Sequence, residues 1–200
     1  MLKRSLIAAA AFGLLFSAAA SSVHAAVEIG KAAPEFSLTD QHGKTVKLSD
    51  YSGKIVVLEW FNEGCPYVQK QYKTGAMNAT AAKYAEKGVV WLAVNSTNSA
   101  TVASNLKAAT EWKMDRPVLD DHAGTVGHAF GAKNTPHLFI VDKDGKLIYH
   151  GAIDSVNSSE ADDISGATNY VAKALDEATA GKPVSQSETK PYGCTVKYAK

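Results

Sequence analysis

Two apolar runs in the first half of the chain dominate its hydrophobic pattern. They cover residues 55–61 and 89–94, and the first is interrupted only by Glu59. Runs of this kind indicate strands that are buried on both faces of a sheet. Alternating apolar and polar positions predict two β-hairpins, one over 36–48 and one over 137–149.

Helical spacing of apolar residues predicts four helices, at 66–86, 101–112, 126–130 and 160–180. Strands that alternate with helices indicate the α/β class, with a central mixed sheet flanked by helices on both faces. The expected architecture begins with a β-hairpin and ends with a helix and a tail. The polar segment 185–190 is predicted to be a mobile tether for that tail.

The first 25 residues have the features of an export signal. Lys3 and Arg4 precede an apolar run at 6–20, and Val23-His24-Ala25 has the small-x-small form of a cleavage site. The run is short and rich in small residues, which is not typical of a membrane span. We therefore expect an exported, periplasmic protein with a signal peptide at 1–25, one domain at 26–182 and a tail at 183–200.

Charge and cysteine content narrow the classes of function. The full chain has 21 basic and 20 acidic residues, and removal of the signal peptide leaves 19 and 20. The chain therefore lacks the excess of basic residues that would favour nucleic-acid binding. The chain has two cysteines, Cys65 and Cys194, which can pair in an oxidising compartment.

Cys65 is the strongest candidate for chemistry. Gly64 permits a tight bend after the apolar strand, Cys65 falls at the cap of the next helix, and Pro66 falls at its first position. Unpaired N–H groups and the positive end of the helix dipole favour the thiolate there, and the thiolate is the nucleophilic form. The alternative is an inert cysteine buried in the core.

Cys194 lies in the tail and allows two interpretations. A static disulfide to Cys65 would close a loop of roughly 130 residues, which stabilises by about 5 kcal/mol in the chain-entropy model. A switchable pair, in which Cys65 attacks and Cys194 resolves, predicts a reducible bond instead. We favour the switchable pair; a non-enzymatic binding module with a permanent disulfide is the other class of function.

Four segments together resemble a known family: GKAAPEFSL at 30–38, DQHGK at 40–44, the strand that leads to Cys65, and NTPHLFIVD at 134–142. Over residues 27–155 the chain resembles the thioredoxin-like superfamily, in its peroxiredoxin-related AhpC/TSA redoxin branch. The resemblance implies a thioredoxin-like fold, and we expect no cofactor. It also implies that Thr135-Pro136 is a cis-proline loop that faces the reactive cysteine and offers backbone groups to an incoming peptide or thiol.

Departures from the family pattern bear on the reaction. Val68 stands where thioredoxins have the second cysteine of Cys-x-x-Cys, so no disulfide can close within the motif. Asn62 stands where peroxiredoxins have a threonine, and Arg116 is the only arginine outside the signal peptide. The resemblance therefore favours a thiol-disulfide oxidoreductase with a protein or small thiol partner. A thiol-dependent peroxidase, acting on peroxide, is the alternative.

Other candidates surround Cys65 in the expected fold. Glu59 stands where thioredoxins hold a buried acid that transfers protons; the alternative is a solvated or salt-bridged strand residue. The candidate substrate-binding residues are Thr135, Pro136, Pro66, Tyr67 and His137. Core packing would equally explain Tyr67 and His137, because a strand alternates between faces.

A metal site is a further alternative. Cys65, Cys194 and His137 are soft and imidazole ligands that suit copper. Copper carriers of this superfamily bear a Cys-x-x-x-Cys pair, which this sequence lacks. We therefore expect no metal.

Overall fold

A seven-stranded mixed sheet forms the centre of the protein in a computed structural model, which describes residues 27–200. The strand order is β2-β1-β5-β4-β3-β7-β8, and a second, two-stranded sheet pairs β6 with β9. The strands are β1 (Ser37–Thr39), β2 (Thr45–Lys47), β3 (Val56–Trp60), β4 (Val90–Asn95), β5 (Val118–Asp120), β6 (Asn134–Thr135), β7 (His137–Val141), β8 (Leu147–Gly151) and β9 (Cys194–Thr195).

Helices cover both faces of the large sheet. Their bounds are α1 (Pro66–Lys73), α2 (Ala76–Ala85), α3 (Val102–Glu111), α4 (Thr125–Phe130) and α5 (Tyr170–Thr179). Buried side chains of α1, α2, α3 and α5 pack on one face, and those of α4 pack on the other face with residues of the N-terminal hairpin. Within residues 27–200 no helix has the length and apolar character to cross a membrane.

The predicted buried strand is the axis of the sheet. Every residue of β3 is buried, and β3 runs parallel to β4 and antiparallel to β7. Val57 packs into the layer that contains α1 and α2, whereas Leu58 packs into the opposite layer. Burying a side chain of this size contributes about 1.5–3 kcal/mol. The strand therefore holds the residues that follow it, including Cys65, on a rigid base.

Two predicted helices are shorter than expected. The helix predicted over 66–86 is two helices, because the chain breaks at Gly75, whose φ of 74° a regular helix does not allow. The helix predicted over 160–180 begins at Tyr170, and a separate short 3₁₀ turn covers Ala161–Ile164. Strands β5, β6 and β9 have no sequence prediction, since two or three residues are too few for a periodic signal.

The C-terminal segment is the largest departure from expectation. The predicted tether at 185–190 is hydrogen-bonded along β8: the His150 N–H donates to Ser187 O at 2.9 Å, and the Thr189 N–H donates to His150 O at 3.1 Å. Beyond it, Tyr192 and Val196 are buried in the two core layers. The tail is therefore packed onto the domain, and the prediction of a mobile tether is wrong for this structure.

Candidate active site

Cys65 ends the turn after β3 and begins α1. Its carbonyl accepts hydrogen bonds from the N–H groups of Val68 at 3.0 Å and Gln69 at 2.9 Å, and Pro66 occupies the first helical position. This is the cap geometry that the Gly-Cys-Pro sequence predicts. The Cys65 side chain is 1% exposed, and it contacts the second cysteine rather than solvent.

The structure brings the two cysteines together. Cys65 Sγ lies 2.7 Å from Cys194 Sγ, and both are free thiols. Cys194 is half-buried, so it is the outer sulfur of the pair. The two sulfurs are thus close enough for Cys194 to attack a bond at Cys65, which a resolving role requires.

The surroundings of the two thiols shift their pKa values in opposite directions. Burial alone raises the pKa of Cys65, but contacts with Cys194 and Thr135 and with the backbone N–H groups of Val68 and Cys194 bring that pKa below its ordinary value. Burial, and then the neighbouring Cys65, raise the pKa of Cys194 to about 11. Of the two thiols Cys65 is therefore the more easily deprotonated, which suits attack by Cys65.

The Thr135-Pro136 bond is cis, and Thr135 lies against the cysteine pair. The Cys65 thiol is 3.0 Å from Thr135 O, and Thr135 pairs directly with Cys194 in the two-stranded sheet. The loop therefore faces the reactive cysteine, as the family resemblance implies. Its free edge, however, is filled by β9.

Glu59 is fully buried in β3 and ion-paired. Its carboxylate accepts hydrogen bonds from the Tyr72 hydroxyl at 2.7 Å and from Trp91 Nε1 at 2.9 Å, and Arg116 Nη2 lies 3.5 Å away. Within residues 27–200 no hydrogen bond joins Glu59 to either cysteine. Of the two alternatives for Glu59, this arrangement favours the salt-bridged strand residue over the proton acceptor.

His137 lies on the face of the sheet opposite the cysteine pair. It stands opposite Trp60 in the β3–β7 register, and its ring packs on Phe139 with centroids 4.3 Å apart. Burial lowers its pKa to about 3, so the imidazole is neutral. The expected position near Cys65 is wrong, because the strand after Pro136 turns this side chain to the other face.

The position of His137 also argues against the copper site, because His137 would be its third ligand. Cys65 and Cys194 belong to one layer and His137 to the other. In the part of the chain that the structure describes, no group of three or more histidine, cysteine, aspartate or glutamate side chains is placed to hold a metal ion.

Tyr67 and Pro66 lie at the rim of the site. Pro66 is exposed, and Tyr67 is half-buried with its ring 5.9 Å from the ring of Tyr192. Tyr67 and Gly193 line an open cleft of about 730 Å³ beside the cysteine pair. Tyr67 thus lies in the wall of this cleft, next to the exposed Pro66.

Asp154 and Tyr192 form a buried anchor that the sequence analysis missed. The Tyr192 hydroxyl donates to Asp154 Oδ1 at 2.5 Å, and Gln71 Nε2 donates to Asp154 Oδ2 at 2.6 Å. Burial, and then Asp154, raise the pKa of Tyr192. Tyr192 precedes Cys194 by two residues, so this anchor fixes the tail next to Cys65. The only local signal was the position of Tyr192 beside Cys194.

Comparisons with known proteins agree with this geometry. A model of the AhpC/TSA family matches residues 29–150. Thiol-disulfide oxidoreductase ResA from Bacillus thuringiensis subsp. konkukian (strain 97-27) is 34% identical over 122 residues, which cover 61% of this chain and 68% of the relative. The crystal structure of an uncharacterized conserved protein from Geobacillus kaustophilus has a TM-score of 0.71 and 30% identity, and the match covers 86% of this chain and 93% of that one.

Peroxidoxin BcpB from Mycobacterium tuberculosis is a more distant structural neighbour, with a TM-score of 0.53 and 25% identity over 62% of this chain and 84% of that one. The comparisons confirm the thioredoxin-like fold and the redoxin branch predicted from the sequence. The matched family segment contains Cys65 and Pro136 and ends before Cys194.

Proposed function

Because this chain belongs to the AhpC/TSA family and places two thiols in contact at its active-site helix, we propose that it is an exported thiol-disulfide oxidoreductase that works through Cys65 and Cys194. The observation that carries the proposal is the 2.7 Å separation of the two sulfurs beside Thr135 and Pro136. The name shared by the ResA relatives supports the activity class.

The reaction begins at Cys65. Its thiolate attacks one sulfur of a substrate disulfide, forms a mixed disulfide, and expels the other substrate sulfur as a thiolate that takes a proton from water. Cys194 then loses its proton and attacks the Cys65 sulfur, which releases the second substrate thiolate and leaves a Cys65–Cys194 disulfide. Two electrons pass from the cysteine pair to the substrate, and an external dithiol returns them.

The electrostatics of the pair suit this order. One cause of the raised pKa of Cys194 is the neighbouring Cys65. Once Cys65 is bonded to substrate, its negative charge is gone, and that contribution disappears. Cys194 is then easier to deprotonate when its attack is required.

A peroxidase is the second candidate, and it has support from the peroxidoxin neighbour. A thiol peroxidase would form a sulfenic acid at Cys65, which Cys194 would condense to the same disulfide. Arg116 would be needed to activate the peroxide, but its guanidinium is engaged by Glu59, Tyr72 and Asn78. Disulfide exchange is therefore the preferred reaction.

Export rests on the sequence of residues 1–25, which lie outside the described part of the chain. In the periplasm a pair held in contact would oxidise, so turnover needs a reducing partner. A redox protein or a small thiol meets that need.

The first experiment is a redox titration of the mature protein against glutathione, followed by thiol labelling and mass spectrometry. We expect a potential between about −120 and −270 mV, the range of exchange catalysts. The Cys194→Ser variant should lose turnover and accumulate a mixed disulfide on Cys65. A potential below about −300 mV would instead indicate a structural disulfide and overturn the proposal. A peroxide consumption rate above the rate of disulfide reduction would favour the peroxidase.

A further inference from the structure

Residues 194–196, near the C-terminus, add a short strand to the edge of β6. Cys194 and Thr195 pair antiparallel with Thr135 and Asn134. The ladder extends beyond the strand itself, since the Val196 N–H donates to Lys133 O at 3.1 Å. Strand addition of this kind is a common way for proteins to hold an extended peptide.

Side chains on both sides of Cys194 hold this strand in place. Upstream, Tyr192 is 8% exposed and bonded to Asp154. Downstream, the Tyr198 ring stacks on His128 with centroids 4.0 Å apart, and its hydroxyl donates to Ala132 O at 2.8 Å. The strand is thus fixed at both ends, and Cys194 is held between them.

Gly193 allows the close approach of the strand to β6. Its φ is 113°, a conformation that side chains rarely adopt. A Cβ at this position would collide with the carbonyl oxygen of Thr135. The Asn134 side chain also donates to Gly193 O at 3.1 Å. A glycine directly before the cysteine is therefore a requirement of this binding mode.

The docked strand limits access to Cys65. With the strand in place, Cys65 is 1% exposed and the backbone edge of β6 has no free partner groups next to the cis bond. An external polypeptide that used the same edge would have to compete with this chain's own tail.

We propose that the C-terminal strand is an intramolecular occupant of the β6 edge, and that a polypeptide substrate reaches Cys65 by taking its place. The substrate class is an extended polypeptide segment with a glycine before its disulfide-bonded cysteine, as in the tail sequence Gly193-Cys194-Thr195. The proposal rests on the proposed function, because it assigns the regulation and the substrate of that same site.

The test uses the full chain with Cys194→Ser, so that Cys65 is the one thiol. In this background Gly193→Val should raise the rate of Cys65 alkylation by iodoacetamide by about tenfold or more, since docking of the tail is lost. Rates are compared at the plateau of the pH profile, which removes any effect of thiol pKa. The matched control is Gly43→Val, because Gly43 also has a positive φ, of 80°, but has open space around it.

A second measurement asks whether the β6 edge binds peptide. A synthetic peptide of residues 189–200 that carries Cys194→Ser is added to the Gly193→Val protein, and it should restore protection of Cys65. The same peptide with Gly193→Val should not protect. If melting shows that the Gly193→Val protein is unfolded, Tyr198→Ala replaces it, because this change removes the downstream anchor alone.

An unchanged alkylation rate in a folded variant, or equal protection by both peptides, would overturn the inference. Either result leaves the proposed function in place if the redox titration still gives the potential of an exchange catalyst. A potential below about −300 mV, together with protection of Cys65 that depends on the tail, would support the inference and contradict the proposed function. The strand would then cover Cys65 at a site that does not exchange disulfides.

Discussion

Tyr192 donates its hydroxyl to the buried carboxylate of Asp154, and this bond lies two residues from the cysteine that meets Cys65. The strand that carries Cys194 is thus tied to the domain by a buried polar contact close to the cysteine pair. Fixing Cys194 near Cys65 raises its effective concentration, which is what stabilises a disulfide relative to two thiols.

The Tyr192→Phe variant tests this dependence. Loss of the hydrogen bond leaves Asp154 short of a donor, so the free energy of unfolding should fall by about 1–3 kcal/mol. The reduction potential of the pair should become less negative, by about 30 mV for each tenfold loss of effective concentration. Urea unfolding measures the change in stability, and a glutathione titration measures the change in potential. Tyr170→Phe is the control, since its hydroxyl makes no hydrogen bond within residues 27–200. A shifted stability with an unchanged potential would contradict the link between anchor and cysteine.

The pH dependence of thiol alkylation should separate the two cysteines. The pKa of Cys65 is lowered, whereas that of Cys194 is raised to about 11. In the reduced protein Cys65 should titrate at the lower pH, and Cys194 should become reactive only at strongly alkaline pH. Mass spectrometry after short pulses of iodoacetamide gives both profiles. Because the tail shields Cys65, its rate is slow at every pH, and the midpoint rather than the rate carries the test. Midpoints in the reverse order would exclude Cys65 as the attacking sulfur.

His137 should make the protein sensitive to acid. Its folded-state pKa is about 3, below the ordinary value of 6.5, so between these values the unfolded chain binds the extra proton. The free energy of unfolding is therefore expected to fall as the pH drops from about 6.5 towards 3, by about 1.4 kcal/mol for each unit of pH. Urea unfolding of the wild type and His137→Gln at pH 7 and pH 4.5 measures the difference. His42→Gln, at an exposed position, is the control. An equal loss in all three proteins would assign the acid sensitivity to other groups.

We expect the main effect of replacing Arg116 to be a loss of folding stability rather than a direct loss of catalysis. Its side chain is 6% exposed and pairs with the fully buried Glu59, so Arg116→Met leaves an unpaired buried charge. The expected cost is about 3–5 kcal/mol, and Glu59→Gln combined with Arg116→Met should recover part of it. Thermal and urea unfolding give the values, with Lys107→Met on the surface of α3 as control. A variant of unchanged stability that lost only peroxide turnover would instead support the peroxidase.

Local sequence determined the parts of this protein that depend on near neighbours. The buried strand β3, both hairpins and the cap at Cys65 follow from side-chain alternation and from the Gly-Cys-Pro turn, and the structure has them where they were predicted. The cis loop at Pro136 followed from the family resemblance. The break at Gly75 was visible in the sequence, but a glycine inside a periodic pattern is tolerated often enough to be overlooked.

Tertiary structure alone decided the rest. A period of two says that His137 and Leu138 point to opposite faces, but only the register with β3 fixes which face holds Cys65. The tail looked mobile because its composition is polar, yet β6 offers it an unpaired edge and Asp154 offers it a buried acceptor. Those partners lie about 40 to 60 residues away along the chain, where no local pattern reaches. The sequence by itself predicted Cys65 as the reactive residue, and only the folded edge of β6 brought Cys194 to it.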